Sequence, residues 1–387
     1  MEAVVIGAGV IGLSVATELG RRGVNVTVVE QGTPGAGTSA ASYGWVNANN
    51  KEPCAYHELN HAGLEAHRKL AQTTGGTWLQ AGGHLEVATD PAHQEELARR
   101  LSRLCDLGYE AELITHAQAR ELIPDLITGP DAGPIAYFPR EAYCFPQLYL
   151  AHLLSTAADL GVKVISGNAV QTIDVAGGRP VLGLADGTVL SCNHVVSCVG
   201  RWTQSLLKQA DVTLPMTEFE HAGDATVGYL AVTNPLPVSL ARLLTTSQLN
   251  IRPDGGGRLM LQALGLDATA DPRDIPATDA PVAKELLGRL NKALSNTSAA
   301  AVVELRVGRR AIPADGLTVA GPLPSAPWLY VLATHSGITL APLLGDLAAK
   351  EIHGASAQSL LAPFRPDRLL GRPADRGPLP PRRPGQQ

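Results

Sequence analysis

The chain opens on an apolar run, Ala3-Val4-Val5-Ile6, with the length and character of a buried parallel strand. Gly7, Gly9 and Gly12 follow at once. Leu13, Ala16 and Leu19 then recur at helical spacing up to Arg21-Arg22-Gly23. A second apolar-rich run over 24–29 delivers Glu30. The pattern predicts strand, glycine turn, helix and strand: one βαβ unit. Residues 161–165 and 194–199 predict further strands, the second ending in a turn at Gly200. Between them, 170–190 predicts a hairpin-like pair about Asp186-Gly187. Residues 329–333 predict a late strand, followed by a small-residue turn and a helix that continues to Ile352.

Two stretches carry a different rhythm. Residues 91–107 place Leu97, Leu101 and Leu104 on one helical face, and 116–122 predict a short second helix. Residues 226–233 and 249–252 predict strands, 258–262 returns across Gly255-Gly256-Gly257, and 283–294 predicts a helix. No internal repeat is visible.

Composition narrows the classes. A chain of 387 residues is too long for one compact core, so two or three domains are expected. With 31 basic against 36 acidic residues the net charge is −5, which argues against a nucleic-acid partner. No run of 18 apolar residues occurs, so no membrane-spanning helix is expected. The first apolar stretch is broken by glycines and lacks a basic leader, unlike a signal peptide. Five scattered cysteines without a CxxC pair predict reduced thiols in a cytoplasmic protein, and no metal site.

The N-terminal unit has a mechanical reading. Gly7 permits a tight turn, Gly9 lets the backbone approach a pyrophosphate, and Gly12 lets helix and sheet pack closely. The helix start, with Val10 and Ile11, offers N–H groups and positive dipole to phosphates. Glu30 is placed to accept from ribose hydroxyls and would repel a 2′-phosphate, which disfavours NADP. The turn alone does not choose between FAD and NAD. The loop that follows, small, polar and rich in glycine from Gly32 to Trp45, favours FAD: Thr38, Ser39 and Ser42 offer donors to an extended cofactor, where an NAD domain would pass quickly to its next strand; a plain surface loop is the structural alternative.

With these segments, the strand into Val199-Gly200, the stretch 307–316 and the turn His335-Ser336-Gly337-Ile338-Thr339-Leu340-Ala341-Pro342, the chain resembles a known family over roughly residues 1–355. It is similar to the FAD-dependent amine oxidoreductases, which include D-amino-acid oxidase, glycine oxidase and sarcosine oxidase. It departs from their pattern at Arg310-Ala311, where Arg-Pro is usual, at His335-Ser336-Gly337, where many have Gly-His-Gly, and at Val199-Gly200, where Ala-Gly is usual.

The resemblance implies an α/β (α+β overall) fold: a Rossmann-like FAD-binding domain with an interleaved substrate domain built on an antiparallel sheet. The expected FAD-binding domain is discontinuous, 1–80, 140–205 and 305–355, and the substrate domain takes 81–139 and 206–304. Residues 363–387, rich in Pro and Arg, are expected to be a disordered tail. The expected contacts to FAD are Gly7, Gly9, Val10, Ile11, Gly12, Glu30, Gln31, Thr38, Ser39, Ser42, Gly44, Val170, Gly200, Trp202, Gly308, Ser336, Gly337, Ile338 and Thr339. Helix capping is the structural alternative for Ser336 and Thr339. Nothing marks a covalent attachment residue, so the FAD is expected to be noncovalent.

The implied reaction oxidises the C–N bond of a small amine or amino acid, with oxygen or another acceptor taking the electrons. Arginine suits a substrate carboxylate through its planar fork. By resemblance Arg310 falls on that position, with an ion pair to Asp315 as the structural alternative and Arg252 as a second candidate. His335 is read as a proton-transfer group or a satisfied histidine, and Trp45 as a wall of the site or a core residue, with Tyr229 a weaker candidate of the same kind. The polar stretch from Asn47 to Lys51 reads as a solvated loop, with lining of the site as the alternative. Two competing readings are a flavin-binding interaction subunit with a degenerate site and an NAD-linked dehydrogenase.

Overall fold

A computed structural model describes residues 1–129 and 133–371. Two large sheets organise them. The first has six strands in the order Val319–Leu323, Ala326–Ala333, His194–Ser197, Glu2–Ile6, Asn25–Val29, Lys163–Ile165. All its pairs are parallel except the edge hairpin made by the first two. The expected βαβ unit is present: the glycine turn leads from Ile6 into the helix Val10–Arg21, which returns to Asn25–Val29. Leu13, Ala16 and Leu19 of that helix are fully buried.

The second sheet has eight strands in the order Val302–Arg309, Val227–Thr233, Leu259–Gln262, Asn250–Pro253, Leu243–Thr246, His84–Val87, Ile135–Phe138, Glu112–Ile114. Its pairs are antiparallel except Leu243–Thr246 against His84–Val87, which run parallel. The helices Pro91–Asp106, His116–Leu122 and Pro281–Ala293 accompany this sheet in sequence, and their starts follow local rules. Asp90 accepts from the His93 N–H before Pro91, and Thr115 and Gln118 form a reciprocal capping box.

Two elements differ from expectation and a third was not anticipated. The stretch 170–190 is a three-stranded meander, Val170–Ala176, Arg179–Leu184 and Val189–Ser191. Gly177 and Gly178, both at positive φ, supply an additional turn ahead of the one at Asp186-Gly187. The long helix Cys54–Thr74 carries no clean apolar stripe because its buried face includes His57, Asn60 and His67. The expectation of a disordered tail from 363 is corrected over 363–371. Phe364 and Leu369 are buried, Arg365 pairs with Glu351 at 2.6 Å, and Arg368 pairs with Asp315 at 2.8 Å. Scattered apolar residues dock here because the arginines between them find carboxylates. The rest of that tail lies outside the described residues.

The last helix, Gly337–Ile352, packs directly on Val10–Arg21. At Gly345 an added Cβ would stand 2.8 Å from the backbone carbonyl of Ser14, so the close approach requires glycine there. Gly345→Val is expected to lower folding stability by about 1–3 kcal/mol through overpacking, read as a lower urea midpoint with an unchanged slope.

Candidate active site

The carboxyl ends of the parallel strands open into a cleft of about 330 Å³, at the place where α/β sheets bind ligands. Its floor is the glycine turn. Gly7 has φ +101°, and a Cβ on it would lie 2.6 Å from the Cys198 carbonyl oxygen. A Cβ on Gly9 would lie 3.0 Å from Ser39 Oγ, filling the gap between turn and loop. Gly12 sits beneath the turn, where any Cβ would collide with the Gly7 carbonyl.

Most of the expected contacts come together here. Gly7, Gly9, Val10 and Ile11 line the cleft from the turn, Glu30 and Gln31 from the end of the second strand, and Thr38, Ser39 and Ser42 from the loop. Val170, Gly200 and Trp202 line one wall, and His335, Gly337 and Ile338 another. Gly12, Gly44 and Gly308 act one layer back. Gly44, at φ +78°, turns the loop under Cys144, and a Cβ on Gly308 would meet the Ala41 carbonyl at 2.9 Å.

Hydrogen bonds hold this cleft open. Ser39 Oγ accepts the Val10 N–H at 3.2 Å and so caps the N-terminal helix from a distant segment. Thr38 donates to the Arg309 carbonyl at 2.7 Å and accepts from Arg201, whose guanidinium lies over the Trp202 ring at 3.7 Å. Arg201 carried no motif that sequence reasoning could have used. Glu30 accepts the N–H groups of Ala8 and Gly32, at 2.8 and 2.9 Å, which aims its carboxylate while leaving lone pairs toward the cleft.

A smaller polar cavity of about 30 Å³ adjoins the cleft. Ser42, His335 and Ile338 line both, and Trp45, Asn47, Lys51, Ser336 and Thr339 complete the small one. The stretch from Asn47 to Lys51 is therefore no solvated loop: Asn47, Ala48 and Asn49 are buried. The reason is a buried carboxylate. Glu141 accepts from the Trp45 indole at 2.9 Å, the Asn49 N–H at 3.1 Å and the Tyr109 hydroxyl at 3.1 Å. Arg100, itself buried by Glu86, donates to Asn49 Oδ1, and Arg103 donates to the carbonyls of Asn49 and Lys51. Burial alone would push the Glu86 carboxyl up, but Arg100 and His93 hold it down at about 2.

Thr339 donates to the Trp45 carbonyl, and the Ser336 hydroxyl pairs with Tyr56, so neither side chain caps its own helix. His67 supports the same turn. Its Nε2 lies 2.9 Å from the Ile338 carbonyl. Four residues beyond Ile338 stands Pro342, which has no N–H to offer that carbonyl, and the histidine supplies the missing donor.

The remaining candidates lie outside both cavities. Arg310 donates to the Val227 carbonyl and faces Asp267 at 3.5 Å, while Asp315, its expected structural partner, is taken by Arg368. Arg252 is buried, paired with Asp254 at 3.0 Å and surrounded by Tyr43, Tyr143 and Phe145. Tyr229 is a core residue whose hydroxyl donates to the Thr269 carbonyl. Among the described residues no cluster of His, Cys, Asp or Glu could hold a metal, and no helix is long and apolar enough to cross a membrane.

A largely parallel sheet with a glycine-floored cleft at its strand ends, in a chain that also carries a large, mainly antiparallel sheet, marks a dinucleotide-binding protein of two-sheet build. The chain matches the FAD dependent oxidoreductase family over residues 2–351 and belongs to it. It is similar to the glycine oxidase of Geobacillus kaustophilus, 27% identical over 380 residues that span 96% of this chain and 98% of that protein. The crystal structure of glycine oxidase from that organism superposes with a TM-score of 0.81 at 24% identity, covering 94% of this chain and 97% of that one. An L-amino acid deaminase from Proteus vulgaris shares the fold, with a TM-score of 0.82 at 19% identity over 95% and 93% of the two chains. Membership decides between the cofactors that the glycine turn left open: the enzyme uses FAD. The glycine floor and the Glu30 carboxylate at the edge of the cleft fit that group.

Burial pushes the His67 imidazole down to about 4, so it is neutral in the folded protein. The unfolded chain takes up a proton near 6.5, so this contribution is complete above that pH. It is expected to fall by up to about 1.4 kcal/mol per unit as pH drops from 6.5 toward 4. His67→Leu should remove that pH dependence and cost about 1–3 kcal/mol at neutral pH, measured by urea unfolding.

Proposed function

We propose that this enzyme oxidises the C–N bond of an amino acid or other small amine, with noncovalently held FAD. When bound in the cleft, FAD would supply the redox chemistry, as the acceptor of a hydride equivalent (at N5) from the carbon that bears nitrogen. The carrying observation is the small polar cavity opening from the end of the cleft that His335 and Ile338 line. It gives a polar head group a place beside the cofactor site. The name of the glycine oxidase that matches almost end to end supports an amino-acid substrate.

The chain's own residues have three tasks. The turn at Gly7 and Gly9, with Ser39 and Glu30, holds the dinucleotide. The first turn of Gly337–Ile352 presents its positive dipole end to the cavity wall, which favours negative charge there. Trp45, buried and tied to Glu141, closes the cavity on its far side. It thus unites the two roles read for it, wall and core. The substrate is a small molecule, and oxygen or another acceptor removes the electrons.

Two measurements test this reading. The purified protein is expected to be yellow and to bleach anaerobically with at least one of a panel of D-, L-, N-methyl and cyclic amino acids. Bound FAD that dithionite reduces but no amine in the panel reduces would count against it. Acid precipitation should release all the FAD and leave a polypeptide of unmodified mass. A retained flavin mass would show a covalent link.

A further inference from the structure

The residues that line the two cavities include a single lysine or arginine, Lys51. The arginines considered as carboxylate anchors are committed elsewhere: Arg310 to Val227 and Asp267, Arg252 to Asp254 and backbone carbonyls. Lys51 is partly buried, and among the described residues no hydrogen bond or ion pair engages its ammonium. Its backbone is fixed, with the N–H donating to Ala48 and the carbonyl accepting from Arg103. Around it stand the hydroxyls of Ser42 and Ser336 and the start of the last helix, which favour an anion, while the Thr339 proton is committed to the Trp45 carbonyl. At about 30 Å³ the cavity is small and polar, with room for a carboxylate head group.

We propose that Lys51 is the cation that receives the substrate carboxylate, which makes an amino acid rather than a plain amine the substrate class of this site. The proposal rests on the amine-oxidation reading above and deepens it. It reassigns to Lys51 the role that resemblance places on Arg310. The physical reason is topological. Arg310 follows directly on an edge strand of the large sheet and turns back onto that sheet, whereas Lys51 ends the segment that Glu141 and Arg103 press against the cleft.

The charge on Lys51 is conditional. Burial lowers its pKa to about 8, and Glu141 opposes that shift. The other groups about the segment are His335 across the cavity, Arg103 at the Lys51 carbonyl, and Glu52, which pairs with Arg103 at 3.3 Å. An ammonium so placed is undercompensated, and an entering carboxylate stabilises it. Carboxylate binding is therefore complete below about pH 8 and is lost above it.

The test uses the FAD-loaded enzyme and follows the visible flavin spectrum on titration with acetate and with benzoate between pH 6.5 and 9. The wild type is expected to bind acetate with a Kd that rises toward tenfold per unit above pH 8. Lys51→Met should raise the Kd at least tenfold at pH 7 and abolish the pH break. Lys51→Arg should keep the binding and lose the break. FAD content and unfolding midpoint report on folding of each variant. Acetate binding by Lys51→Met with the wild-type Kd and pH break would overturn the proposal and return the anchor to an arginine. Failure of every amine to bleach the wild-type flavin would instead sink the amine-oxidation reading, while the acetate titration would still report on Lys51.

Discussion

At Gly12 a Cβ atom would collide with the carbonyl oxygen of Gly7, so the N-terminal helix can start directly above the strand end only because that side chain is absent. Much of the site follows from this contact. With the helix seated, its first N–H groups face the cleft, and Ser39 reaches Val10 from the following loop. The last helix then lies on the first at Gly345, which sets its own N-terminus at the opposite wall of the same cleft. Two helix starts thus point their positive ends into one cavity from two sides, a suitable environment for an anionic cofactor and for charge that develops next to it.

The second organising feature is a pair of buried carboxylates under the segment that follows the loop. Glu141 gathers Trp45, Asn49 and Tyr109, and Glu86 gathers Arg100 and His93. Removing one partner of such a buried pair costs about 3–5 kcal/mol, because the other charge is left without compensation. This is an expensive way to hold five residues in place, and a more apolar core would be as stable. What it provides is position: the polar stretch from Asn47 to Lys51 cannot retreat into solvent without taking the Asn49 N–H from Glu141 and the Asn49 acceptor from Arg100.

How far the sequence can be read depends on the range of the interactions involved. The βαβ unit was legible because each of its parts is local: an apolar run, glycines at fixed offsets, an apolar helical stripe and a carboxylate at the end of the second strand. The helices Pro91–Asp106 and His116–Leu122 were legible for the same reason, through periodicity and caps. Elements whose burial rests on distant partners were missed or misread. The helix Cys54–Thr74 hides its periodicity because its inward face carries His57, Asn60 and His67, and one of these donates to a carbonyl 271 residues away. The segment 363–371 looked like a polar tail because the carboxylates that receive Arg365 and Arg368 lie outside it, 14 and 53 residues back in the chain.

By itself the sequence determined the dinucleotide-binding unit, since glycine stereochemistry, helix dipole and strand length act over a few residues; the class of chemistry came from the resemblance of the whole chain to its family. Only the tertiary structure decided which of the polar side chains reach the cavities. Arg310, Arg252, Tyr229 and Lys51 are all plausible donors in one dimension, and nothing local ranks them. Their ranking depends on which carboxylate or carbonyl each finds after folding. Asp267 and Asp254 engage two of them, the Thr269 carbonyl takes the third, and the cavity beside the last helix receives Lys51. Charge compensation is a property of the folded neighbourhood, and so the assignment of the site is too.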